Sequence, residues 1–107
     1  MIAVTLNNGE LGIADVKLRD RKAYSFVRIA PDAVLAYRND SFAKGKPHNA
    51  IASLIASQQI YGPAVIVGIN TRELPTRDAA YHDAPQRYVD TYGINEQEKQ
   101  ESKEENT

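Results

Sequence analysis

The sequence predicts an α+β fold: a mostly antiparallel sheet of about five strands, one main helix packed on one face, and a short C-terminal helix. Three observations predict it. The first 37 residues fall into short segments rich in β-forming side chains, two of them alternating with period two, separated by polar turns. One later stretch carries apolar residues at helical spacing. The most apolar segment, Ala64-Val65-Ile66-Val67, follows that stretch directly. Strands first, then helix, strand and helix, favour an antiparallel sheet with helices on one face.

Residues 2–6 are short and rich in β-formers, so they open the sheet. Asn7-Asn8-Gly9-Glu10 is a turn signal, because Asn-Gly takes positive φ readily. Leu11 and Ile13 alternate with Gly12 and Ala14 in a returning strand. Asp20-Arg21-Lys22 is a second polar turn. Tyr24, Phe26 and Arg28 alternate with Ser25, Val27 and Ile29, a strand pattern that Pro31-Asp32 breaks. Residues 33–37 resume an apolar run and predict a further strand.

A polar loop spans residues 38–48, and the main helix is expected over residues 49–59. Ile51, Leu54 and Ile55 fall at i, i+3 and i+4 and form its apolar stripe, expected to face Val65 and Val67. Pro47 precedes the helix and Asn49 can cap its first amides. Gly62-Pro63 ends the unit before the apolar strand. A short helix over residues 84–92 can start at Asp83, with Pro85 in its first turn and Gly93 as its terminator.

The chain has 107 residues, 13 basic and 14 acidic side chains, and a formal net charge of -1. Its size suits one modest core that buries roughly 60–70% of the unfolded surface. The absence of cysteine excludes a disulfide scaffold and a cysteine zinc site. The charge balance argues against a DNA-coating protein and against an acidic DNA mimic. Residues 1–94 read as a single domain. Residues 95–107 contain five glutamates, two lysines and no apolar side chain, so they read as a disordered acidic tail. No apolar run approaches the roughly 20 residues that span a bilayer, so no membrane contact is expected. Residues 1–6 lack the basic region of a secretory signal, and a cytoplasmic location is the expectation.

Three clusters carry candidate chemistry. Lys44, Gly45, Lys46, His48 and Asn49 precede the expected helix start, where free amides and added cations would attract a phosphate-bearing small ligand. This is not a P-loop, and a solvated loop with ordinary capping is the competing reading. Lys17, Arg19, Arg21 and Lys22 lie around a predicted turn, and a basic hairpin can grip nucleic-acid phosphates. Asp15 and Asp20 interrupt that cluster, Tyr24 and Phe26 share a face expected to pack inward, and nucleic acid is the least favoured partner. Tyr81, Tyr88 and Tyr92 cluster late in the chain, as packing residues or as a partner-binding patch.

No catalytic constellation, cofactor or metal site emerges. His48 and His82 are too far apart in sequence to assemble a metal site, and Ser41, Ser53 and Ser57 lack a nucleophile-elbow context. His82-Asp83 could supply a base and its orienting carboxylate, or simply precede a helix cap. Nothing in the sequence forbids a homodimer through an open sheet edge.

Residues 38–68 run from a strand through a polar loop to a Lys-Pro-x-Asn helix start and on to Ile60-Tyr61-Gly62-Pro63-Ala64-Val65-Ile66-Val67-Gly68. This pattern resembles the small domains catalogued as domain of unknown function number 3846, found in bacteriophages, plasmids and other mobile elements. Asn49 matches a recurrent asparagine, Gly62 the glycine before the apolar strand, and Arg72-Glu73-Leu74 the stretch before the last helix. The resemblance implies genomic context and no catalytic residues. The resulting expectation is a small non-enzymatic accessory protein that binds a host or element-encoded protein, with blocking of host defence as one specific form.

Overall fold

The computed structural model describes residues 1–7 and 9–93. The expected acidic tail and Asn8 of the first turn lie outside the described residues. The elements are β1 (Ile2–Asn7), β2 (Glu10–Asp15), β3 (Tyr24–Ala30), β4 (Ala33–Arg38), α1 (Ala50–Ala56), β5 (Ala64–Ile69), β6 (Tyr81–His82) and α2 (Gln86–Tyr92). The sheet runs in the order β2-β1-β5-β4-β3, with β6 paired to β5, and every pairing is antiparallel. The fold is therefore α+β, as the sequence predicts.

Alternation sorts the strands into two cores, one on each sheet face. Val4, Leu6, Leu35, Ala64 and Ile66 form the first, beneath both helices. Ala3, Val34, Val67, Ile69 and Ala79 form the second, on the opposite face. Each fully buried Val, Leu or Ile contributes about 1.5–3 kcal/mol by leaving water.

The helix stripe is rotated from its expected position. Leu54 is 82% exposed, and the residues on the core are Ile51, Ala52, Ile55 and Ala56. These four span about 140° of the helix, and Leu54 lies about 130° from their centre. Ile51 and Ile55 flank Ala52 and Ala56 on the core side, and this arc leaves Leu54 outside. The helix also faces Ala64 and Ile66, not Val65 and Val67, which point to the other core. It is shorter than expected: Ser57 ends it in a left-handed conformation, so α1 has seven residues, as α2 does.

β6, only two residues long, has no readable period and was not anticipated. It continues the line of β1 along β5, held by Ala84 N–H to Ile2 O (2.8 Å) and Ile2 N–H to the Asp83 carboxylate (2.7 Å). Asp83 is thus committed to β1 and does not cap α2, whose first residue is Gln86, just after Pro85. Gly93 ends α2 with φ -87°, so its value is space: an added Cβ would strike Ile13 and come within 2.6 Å of Val89 O.

The basic hairpin expected around residues 17–22 does not form. β2 and β3 occupy opposite edges of the sheet, so residues 16–23 must cross it. They do so over the second core: Val16 packs there, and the Arg21 guanidinium donates to Arg77 O (3.2 Å) and Ala79 O (2.6 Å). A single 3₁₀ turn, Arg21–Ala23, leads into β3.

Candidate functional site

The polar loop after β4 is the most built surface feature of the domain. It folds as successive turns. Lys44 N–H donates to Asp40 O (3.0 Å), Gly45 N–H to Phe42 O (3.1 Å), and Lys46 N–H to Ser41 O (3.0 Å). Gly45 holds φ +73°, which favours glycine. Ser41 is buried beneath the loop. The Lys44 ammonium closes it on the Asp40 carboxylate at 2.9 Å, and Arg38 adds a second ion pair at 3.3 Å.

The hydrogen bond from Lys44, followed by that from Arg38, lowers the Asp40 pKa to about 2. A depressed carboxylate stabilises the fold above its unfolded pKa near 3.8, and that contribution is lost as pH falls through about 2. The loop is therefore expected to stay closed at neutral pH and to loosen between pH 3.8 and about 2. Asp40→Asn should loosen it already at pH 7. Faster hydrogen exchange at the Lys44, Gly45 and Lys46 amides would show this; unchanged exchange would dismiss the clasp.

Asn49 anchors the loop to the domain. Its side chain is 1% exposed and has three partners. Its Nδ2 donates to Leu6 O and Gly62 O, each at 2.9 Å, and its Oδ1 accepts from Ala52 N–H at 3.1 Å. The expected cap is present, and the same amide also ties β1 and the turn before β5 to the helix start. Ser53 makes a second tie. Its Oγ accepts from Ile60 N–H (2.8 Å) and donates to Ile60 O (3.2 Å). His48 Nε2 lies 3.1 Å from the same oxygen.

On this base stands an aromatic cluster that the sequence reading did not identify. Phe42 meets Tyr61 edge-on at 4.9 Å between centroids, and His48 meets Tyr61 at 5.4 Å. Phe42 is nevertheless 72% exposed. Contacts run from Phe42 through Tyr61 and His48 to Ser53. The available signal was a lone phenylalanine in an otherwise polar loop.

The structure brings Lys44, Gly45, Lys46, His48 and Asn49 into one neighbourhood. The Lys44, Gly45, Lys46 and Asn49 amides all donate to carbonyls of the domain. The Lys44 charge is shared with Asp40, and Asn49 is buried and satisfied. Lys46 remains exposed.

The other candidates are dispersed. Lys17, Arg19 and Lys22 are exposed on the crossing segment, whereas Arg21 turns inward with its guanidinium 5.3 Å from the Tyr81 ring. Tyr81 stacks on Phe26 at 4.8 Å in the second core. Burial pushes its hydroxyl up to about 12 against the pull of Arg21. Tyr88 and Tyr92 stack at 6.2 Å against the first core, on the opposite face. The three tyrosines therefore do not form one patch. His82 and Asp83 do not form a base and carboxylate pair: His82 Nδ1 lies 3.3 Å from the Asp83 backbone oxygen, and the carboxylate serves Ile2.

No protein-family model, no curated protein and no solved structure matches the chain. Among the described residues, no helix is long and apolar enough to cross a membrane, and no group of three potential metal ligands occurs.

Proposed function

We propose that this chain is a small non-enzymatic accessory protein that works by binding another protein through the Phe42 loop. One observation carries the reading. Phe42 is a large apolar side chain left exposed, yet it is held in place by Tyr61 and by a loop closed at Asp40 and Lys44. An exposed aromatic fixed before binding loses little entropy on docking, which is the character of an interface anchor. The resemblance to mobile-element domains supplies the setting: a cytoplasmic partner from the host or the element, with obstruction of host defence as one form.

The test is native mass spectrometry of the protein purified gently from its own host, as wild type, as Phe42→Ala and as the Lys44→Ala, Lys46→Ala double variant. Phe42→Ala should lose a co-purifying polypeptide, with affinity reduced at least about thirtyfold, while stability changes by less than about 1 kcal/mol. The double variant should keep that polypeptide. A small-molecule adduct that the double variant loses and Phe42→Ala keeps would replace this reading with ligand binding.

A further inference from the structure

We infer that the outer edge of β3 and the groove at its end bind an extended acidic peptide segment of a partner, paired as an added strand. The inference rests on the reading of the chain as a protein-binding module and names a second contact surface. β3 ends the sheet, with β4 as its only strand neighbour. Beyond its ladder with β4, the backbone of β3 has one other bond among the described residues, Tyr24 N–H to Arg21 O, which leaves the edge from Ser25 to Ala30 without a backbone partner. Such an edge offers a row of donors and acceptors to an incoming chain.

The register shifts between Arg28 and Ala30, which limits regular pairing to residues 24–28. Beyond that irregularity lies a shallow, open groove lined in part by Arg28, Ile29, Thr71, Arg72, Glu73 and Leu74. A β-bulge at an edge both stops indefinite pairing and redirects side chains toward a binding site.

The groove's chemistry selects the occupant. The Arg28 guanidinium is fixed by Pro31 O and Glu73 O, and among the described residues it pairs with no carboxylate. Arg72 is exposed and also has no ion-pair partner there. Of the two acidic groups nearby, Asp32 is paired with Arg87 at 2.5 Å; Glu73 accepts from Ala80 N–H at 2.9 Å and keeps its charge, so the two arginines leave the groove with one net positive charge. Leu74, 76% exposed, adds an apolar wall beside Ile29. Guanidinium pairs with carboxylates strongly, and period-two alternation in a strand would present acidic and apolar side chains in turn.

Two rivals fit less well. The β2 edge carries Glu10 and an Asp15 already paired with the Met1 ammonium at 2.8 Å, so charge gives an acidic strand no preference for it. Single-stranded nucleic acid needs open aromatic faces, but Phe26 and Tyr81 stack on each other and Arg38 lies 5.7 Å from the Tyr24 ring.

The test titrates isotope-labelled full chain with the synthetic peptide acetyl-Glu-Val-Glu-Val-Glu-amide and follows backbone amide shifts. Shifts are expected at residues 24–30 and 71–74. Arg72→Glu, an exposed change that spares the fold, should weaken binding about tenfold, as should N-methylation of all the peptide amides. Phe42→Ala should bind the peptide like wild type. Unmoved residues 24–30, an equal response to the Lys-Val-Lys-Val-Lys analogue, or a stronger one to oligothymidylate would overturn the assignment. If Phe42→Ala still releases the captured partner in that case, the groove assignment falls alone.

Discussion

Asn49→Ala is expected to lose about 3–5 kcal/mol of stability, the largest effect of any single substitution considered for this domain. The loss has two sources. Removing the cap oxygen leaves Ala52 N–H without its acceptor, worth about 1 kcal/mol at a typical N-cap. Removing the amide leaves Leu6 O and Gly62 O without their donor, and a buried unsatisfied group costs about 1–3 kcal/mol. A domain of this size has only about 5–13 kcal/mol in total, so the variant should unfold at a much lower urea concentration. Asn49→Asp separates the two sources. It keeps the cap oxygen but sets a carboxylate against two carbonyls, so it should not rescue. A variant at Asn49 with a wild-type urea midpoint would show that the three bonds are not limiting.

Gly68→Ala should cost about 2–3 kcal/mol, even though alanine is a modest addition. Gly68 is buried in β5 opposite His82 of β6. A Cβ there would strike the Asp83 backbone carbonyl and lie 2.5 Å from His82 Nδ1. The carbonyl cannot rotate away as a side-chain tip can, so β6 must shift, and forced overpacking of this kind costs about 1–3 kcal/mol. The shift should also pull Asp83 from Ile2 and Ala84 from Ile2, because all three belong to one short line of contacts. Accelerated hydrogen exchange at the Ile2 and Ala84 amides, alongside the lower urea midpoint, is the specific signature. Destabilisation with those amides still protected would place the damage elsewhere.

The two surfaces assigned here differ in what builds them. The Phe42 loop is closed by bonds within residues 38–48, and Asn49 ties it to Leu6 O on β1. The β3 groove joins residues more than 40 apart in sequence, with Arg28 bonded to Glu73 O across that gap. A partner that engages both would read the loop as an anchor and the edge as a register.

Much of the fold was legible because its signals are local. Period-two alternation in residues 24–29, the apolar run of residues 33–37, the Pro31-Asp32 break, the Gly62-Pro63 stop and the Asn49 cap each depend on neighbours in sequence, and each appears in the structure. What was not legible depended on distant partners. The sequence could not show which side of α1 is buried, because Ile51 and Ile55 can share a face with either Leu54 or Ala52, and the packing around them decides which. It could not show that residues 16–23 cross the sheet, because strand order is set by pairing and not by composition.

The candidate site follows the same division. The sequence located the loop at residues 44–49 from its glycine, lysines and cap. Only the tertiary structure showed that the loop amides bond inward, that the Asn49 amide is used up in the core, and that Phe42 stands outside. The physical reason is one of range. Backbone dihedral preference and capping are decided within a few residues, while the partner of a buried amide or an exposed ring is decided by whatever chain the fold brings alongside.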